Sequence, residues 1–402
     1  MNDLPPIESI RSIDERAVRA HRAERIRLEL RRQQHEAVLV VDPVNLRYAT
    51  GTRNMQVWTM HNIVRYALAF AHGPTVLFDL ATGRHLSAGL ESVSDVRASI
   101  PFDYMLVADN AETLAARWAG QIRETLREHG CGTDILAADR ADTLMVRSLE
   151  KLGTQVVDGK SVLEHARAIK SAEEIRAFRA SLATCEESVR SLREFAVPGI
   201  RESEAFAHLV GASLARGGEY PETRLLTAGP RTNPWFREAS DRVMQAGELL
   251  SFDTDLIGPM GFYNDLSRSW VIGERRPTRT QATLLDLARE QIAHNIDLLR
   301  PGTSFVEFAS RAFSLPDAYL PNRYADLVHG CGLGVEYPFV LYPEDADDGM
   351  YDGVFEADVI VCVESYVGAV GGPEGVKLEE PVLITEDGPQ ALSALPRDAD
   401  DF

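Results

Sequence analysis

Six residues of this sequence could share one chemistry: Asp253, Asp255, Asp265, His329, Glu364 and Glu379. The stretch 249–270, LLSFDTDLIGPMGFYNDLSRSW, opens like a strand, and strand alternation would carry the Asp253 and Asp255 carboxylates to the same face. Asp265 follows a Gly-Pro-rich return, as on the second arm of a hairpin. If the arms pair, three carboxylates converge, and in a low-dielectric site protonation or a cation must relieve their repulsion. His329 stands in VHGCGLGVEYP, Glu364 ends VIVCVE, and Glu379 lies in the alternating strand VKLEEPVLIT. Several carboxylates with one imidazole have the composition of a two-metal site. Taken singly, each also reads as a polar residue at the surface or the core edge. The apolar strand runs that precede the charges in SFDTD, VCVES and VKLEE do not read as solvated faces.

The elements that must position these groups follow from periodicity. A charged helix spans about 11 to 35 and runs into VLVVD, a short buried strand ending at Asp42. The apolar run 64–80 with its Gly73-Pro74 turn predicts a hairpin, and a helix at 112–130 stops at Gly130 and Gly132. Strand, helix and strand alternate, which predicts a small N-terminal α/β domain, residues 1–163. Next comes a long amphipathic helix whose Ser171-x-x-Glu174 start resembles a capping box. In the remainder, 164–402, strands are expected at 249–255, 269–272, 359–365 and 377–385, with a helix at 278–299. Helices grouped between distant strands predict an α+β domain. There is no internal repeat, and the acidic tail ALPRDADDF is expected to be disordered.

Composition narrows the partners. The chain has 402 residues, 45% of them hydrophobic, and 42 Lys plus Arg against 61 Asp plus Glu, a formal net charge of −19. At roughly 100–200 residues per domain the length asks for two or three domains. The negative surplus repels phosphate backbones and anionic lipid, and no basic patch offsets it. A metal ion or a cationic small molecule is the easier partner. Cys131, Cys185, Cys331 and Cys362 show no C-x-x-C spacing and read as buried small hydrophobes in a reducing compartment. The N-terminus lacks the apolar stretch of a secretory signal, and no apolar run reaches 18 residues, so a soluble cytoplasmic protein is expected. Gly330, Gly332 and Gly334 lack the G-x-G-x-x-G spacing and read as close backbone packing around His329; neither a Walker A motif nor a G-x-S-x-G elbow occurs.

The order Asp, Asp, His, Glu, Glu, with Gly-x-Gly after the His and the last Glu in a strand, resembles the pita-bread metallohydrolases: methionine aminopeptidase, aminopeptidase P, prolidase and creatinase. The resemblance covers nearly the whole chain, because two-domain members also carry a creatinase-like N-terminal domain followed by an Arg-x-Ile-Lys-Ser segment like that at 167–171. It implies a C-terminal pita-bread domain with two divalent ions, of Fe, Mn, Co or Zn. Prolidase-like members read Pro-His-His where this chain has Pro234-Trp235-Phe236, and have a His where it has Glu336. An indole neither accepts nor shuttles a proton as imidazole does, which disfavours dipeptide hydrolysis.

A non-peptidase branch, the bacterial dimethylsulfoniopropionate lyases, is more similar. The resemblance runs through DPVNLRYAT (42–50), NMQVWTMHN (54–62), ETRLLTAGPRTNPWF (222–236) and FDTDLIG (252–258). It implies Asp253, Asp255, Asp265, His329, Glu364 and Glu379 as metal ligands, and Trp58 and Tyr324 as pocket aromatics. Trp58, Trp235 and Tyr324 could form a wall for a sulfonium group. His61, close by, reads as structural. In that branch the residue six after the ligand His is an Asp proposed as base; here it is Val335, which cannot accept a proton. Tyr324 and the neighbouring Glu336 are the candidate replacements, although adjacent strand residues point to opposite faces. The expectation is therefore a metal-dependent homodimer acting on a small onium carboxylate, without nucleic acid or membrane partners. A Xaa-Pro peptidase or creatinase-like C–N hydrolase is the alternative, and a non-catalytic binding protein a third.

Overall fold

The structure, a computed structural model, describes residues 7–346 and 351–397. They group into two compact units, Asp14–Arg167 and Ala168–Phe402, and the residues described before Asp14 go with the second. The division expected after residue 163 would cut the helix Lys160–Ala168.

In the first unit the charged helix runs Glu15–Arg32, and six strands form one sheet: β1 (Ala37–Val40), β2 (Tyr66–Phe70), β3 (Thr75–Asp79), β4 (Val93–Ala98), β5 (Ile135–Ala138) and β6 (Gln155–Asp158). Their order is β4-β3-β2-β1-β5-β6. β2 and β3 are the expected hairpin, antiparallel with Leu68 opposite Val76, whereas β5 and β6 add parallel to β1. Against the sheet lies the helix Ala111–Glu128, whose Trp118 is fully buried and meets Tyr66 edge-on. Gly130 beyond its end takes a positive φ. The strand expected to end at Asp42 ends at Val40. Asp42 is instead an N-cap, accepting from the amides of Val44 and Asn45, with Pro43 opening the helix Pro43–Thr50. No helix among the described residues is long and apolar enough to cross a membrane.

The second unit begins with the helix Ala172–Phe195. Its capping box is formed: the Glu174 amide donates to the Ser171 hydroxyl, and the Glu174 carboxylate accepts from the Ser171 amide. Three sheets follow. β7 (Tyr220–Pro221), β10 (Leu256–Ile257) and β11 (Tyr263–Asn264) form one; β8 (Leu226–Ala228), β9 (Leu249–Asp253) and β12 (Ser267–Val271) another. The third has the order β14-β13-β15-β16-β17 and is built from β13 (Asp326–Cys331), β14 (Val335–Leu341), β15 (Ile360–Val367), β16 (Val376–Thr385) and β17 (Gly388–Ala391).

The helix Arg279–Leu298 lays Leu285, Ala288 and Ile292 in one core with Val328, Val361, Val363 and Val382 of the five-stranded sheet. Each fully buried Ile or Val side chain among these contributes roughly 1.5–3 kcal/mol. Edge contacts tie the sheets together, the Ser269 hydroxyl donating to the Lys377 carbonyl over 2.8 Å. Of the acidic tail, 398–402 lie outside the described residues. Residues up to Arg397 are held, contrary to the expected disorder: Arg268 donates to the carbonyls of Leu395 and Pro396, and Arg397 pairs with Glu380.

Candidate metal centre

β9 and β12 run antiparallel with Ser267 opposite Asp253. Asp253 ends β9, and the chain then breaks rather than continuing as strand. Asp255 has a φ of +41° before β10 pairs with β11. The expected alternation of Asp253 and Asp255 along one strand is therefore corrected. Backbone turning, not strand period, brings the second carboxylate round. Asp255 is held there by the hydroxyls of Thr223 and Tyr263, both donating to it. Asp265 follows β11 directly, and one carboxylate oxygen from each of Asp253, Asp255 and Asp265 lies within 4.8 Å of the others.

The five-stranded sheet supplies the rest. His329 on β13 is opposite Cys362 on β15, two residues before Glu364, and Glu364 faces Glu379 directly across β15 and β16. Two carboxylates facing each other across a ladder repel. His329 Nε2 lies between them and Asp265, 3.5 Å from Glu364, 3.6 Å from Glu379 and 3.6 Å from Asp265. All six residues anticipated for this site are buried.

Sequence reasoning overlooked one group. Lys377 on β16, fully buried, carries its ammonium into the cluster, 2.6 Å from Glu364, 3.1 Å from Asp253 and 3.2 Å from Glu379. It stands two residues before Glu379, so the alternation that marks Glu379 also marks Lys377 as facing the same way. Cys362 is buried, as expected of a small hydrophobe, and its sulfur lies within 4.8 Å of donor atoms of Asp265, His329 and Glu379.

Burial governs the electrostatics. It pushes Asp253 and Asp265 well above the usual carboxylate range, helped by the neighbouring carboxylates, and pushes Glu364 up to about 7. Glu379 is also buried, but Lys377 and His329 hold it low. Asp265 Oδ1 and Glu379 Oε1 are buried without a hydrogen-bond partner. Orphaned oxygens of this kind beside an imidazole fit a divalent cation. A metal must compete with the protons these carboxylates take up, so Mn²⁺ affinity should weaken as pH falls below about 7. Titration calorimetry at pH 6 and pH 8 is the check; equal dissociation constants would contradict it.

The other anticipated residues divide. Tyr324, half-buried, presents its ring to Lys377 at 4.4 Å from the centroid, and Phe236 lies against Tyr324 at 5.5 Å. Trp235 is buried 6.0 Å from Tyr366, its indole N–H without a partner. Trp58 and His61 belong to the helix Gln56–His61 of the first unit, with Trp58 partly exposed.

Cys331 opposes Val335 and Gly330 opposes Glu336, so strand alternation gives Val335 the face of His329 and Glu336 the other. Glu336 is buried and forms an ion pair with Lys170, which removes it from the role of substitute base. The glycines behave as expected of close packing: a Cβ on Gly330 would stand 2.6 Å from the Glu336 carbonyl oxygen.

Two units of this kind, with a buried carboxylate–imidazole cluster in the second, are the architecture of a metal-dependent hydrolase-type enzyme. The chain belongs to metallopeptidase family M24, whose profile matches residues 176–386, with a Creatinase/Prolidase N-terminal domain matching 22–169. Enzymes of this family bind divalent metal ions. Over 371 residues the chain is 38% identical to a dimethylsulfoniopropionate lyase DddP of Roseovarius nubinhibens, covering 91% of this chain and 83% of the relative. It is 37% identical to the protein of the same name from Roseobacter denitrificans, covering 98% and 88%. Among solved structures, a Xaa-Pro dipeptidase from Bacillus anthracis superposes with a TM-score of 0.77 over 94% of this chain and 98% of its own, at 15% identity. That likeness is one of fold.

Proposed function

We propose that this enzyme is a metal-dependent lyase that eliminates a sulfonium leaving group from a small carboxylate of the dimethylsulfoniopropionate type. The observation that carries the reading is the Tyr324 ring beside the carboxylate cluster, already turned to a cation and backed by Phe236. The two relatives at 37–38% identity support it. Asp253, Asp255, Asp265, His329, Glu364 and Glu379 would hold two divalent ions, of Fe, Mn, Co or Zn. When bound, such ions supply positive charge to hold and polarise a substrate carboxylate.

The chain's own residues do the remainder. One face of Tyr324 is taken by the Lys377 ammonium; an onium group using the other face, which Phe236 also borders, would gain roughly 0.5–2 kcal/mol and be oriented by it. In the elimination the proton leaves the carbon beside the carboxylate, its electron pair forms the C=C bond, and the C–S pair departs with sulfur as dimethyl sulfide. Burial and the neighbouring Glu364 keep the Tyr324 hydroxyl protonated well past neutrality, so it acts as a hydrogen-bond donor rather than the base. Position 335, on the His329 face, carries valine. With no side-chain base there, the proton passes to solvent water, at a cost of roughly 10²–10⁴ in rate.

Incubation of metal-loaded protein with dimethylsulfoniopropionate should release dimethyl sulfide and acrylate in equal amounts. A panel of Xaa-Pro dipeptides and of creatine-like amidines should stay intact. Release of proline, or C–N cleavage without any dimethyl sulfide, would replace the lyase reading with the hydrolase one.

A further inference from the structure

The buried charges are bordered by exposed apolar side chains. Phe236, Val335 and Phe339 leave 59%, 44% and 37% of their surface in water. Phe339 on β14 is opposite His329 on β13, its ring inclined only 19° to the imidazole with centroids 6.2 Å apart. Val335 is opposite Cys331, two residues further along β13, which puts it about 7 Å from Phe339 on the same face. Three residues of β14 lie between Val335 and Phe339 where β13 has only Gly330, and the register shifts there. That bulge makes the two side chains neighbours at the free edge of the five-stranded sheet. Phe236 meets the same cluster through Tyr324, whose ring is 5.5 Å from its own and 4.4 Å from Lys377 Nζ. Its φ of +69° is one that a bulky residue adopts only at a cost.

We propose that Phe236, Val335 and Phe339 form the wall for the sulfur substituents of the substrate, and that the preferred substrate is a sulfonium propionate with S-alkyl groups larger than methyl. This rests on the lyase reading. Charge complementarity assigns the other parts of such a molecule: the loaded metal cluster takes its carboxylate, and the free face of Tyr324 takes the sulfonium. What remains for the apolar wall is alkyl. Two methyl groups cover little of three exposed apolar side chains, and each further methylene that leaves water there strengthens binding roughly three- to fourfold. The bond changes are those of the dimethyl compound. The proton beside the carboxylate passes to water, its electron pair forms the C=C bond of acrylate, and the C–S pair leaves with a dialkyl sulfide.

The test compares kcat/KM of the full-length, metal-loaded protein for the dimethyl-, ethylmethyl- and diethylsulfonio propionates, read as acrylate released. The diethyl compound should exceed the dimethyl one on the order of tenfold, with the mixed compound between them. Phe339→Ala should bring that ratio close to one, while Phe339→Tyr should keep it. A wild-type ratio of one or less would overturn the proposal, as would an unchanged ratio in Phe339→Ala. If that unchanged ratio came with an altered oligomeric state in sedimentation, the wall would be an interface between copies of the chain instead. Should Phe339→Ala lose turnover of all three compounds, Phe236→Ala takes its place in the same ratio. Cleavage of the dimethyl compound alone would strike this inference and leave the lyase reading standing, whereas no acrylate from any of the three would strike both.

Discussion

Asp265→Ala is expected to abolish tight divalent-metal binding and, with it, catalytic turnover. Asp265 belongs to both carboxylate groups of the cluster, joining Asp253 and Asp255 to His329 and Glu379. One of its oxygens is buried with no protein donor, so the protein itself gains little from the ionised group. The metal-free variant should consequently be no less stable than the metal-free parent, because one of several mutually repelling carboxylates is gone. What it loses is the rise in melting temperature that a bound ion confers on the native state. Elemental analysis after gel filtration and melting curves with and without Mn²⁺ give the readout. Retention of stoichiometric metal and of the Mn²⁺-dependent shift would refute the site.

The second large effect is a gain. Val335→Asp should raise turnover of dimethylsulfoniopropionate on the order of 10²-fold or more, by restoring a carboxylate where a base can reach the substrate. Val335 shares the His329 face of the sheet and is 44% exposed, so a carboxylate there keeps contact with water and costs the fold little. Glu336 cannot substitute from the next position, since its carboxylate is committed to Lys170 on the opposite face. The measurement is kcat for dimethyl sulfide release with metal content matched between the two proteins. An unchanged kcat would mean that proton abstraction is not limiting and that the natural substrate differs from dimethylsulfoniopropionate.

Much of the architecture was legible in advance because it is governed by local rules. The β2–β3 hairpin, the helix stop near Gly130, the Ser171 capping box and the strands bearing Glu364 and Glu379 all follow from periodicity and turn chemistry a few residues long. The strands β13 and β14 were not anticipated. β13 is buried throughout, and its Gly-rich junction with β14 reads as loop when no partner strand is in view. Asp255 shows the limit of pattern reading most directly: its alternation with Asp253 predicts a shared strand face, yet the chain turns through positive φ between them. The two carboxylates still converge, because hydroxyls from Thr223 and Tyr263 hold the turned residue in place.

By itself the sequence determined which donors are available: five carboxylates and an imidazole, several of them preceded by apolar strand runs, in an order that belongs to one enzyme family. Strand alternation, a short-range property, also determined that Val335 and Glu336 point opposite ways. Only the tertiary structure decided how the charges are shared out. Lys377 is spent on the metal cluster, Lys170 is spent on Glu336, and two of the cluster's own carboxylate oxygens, on Asp265 and Glu379, are left without a donor. Those outcomes depend on partners far apart in the chain, brought together by burial. In a buried site each ammonium must find a carboxylate and each carboxylate a cation, and no local pattern says which.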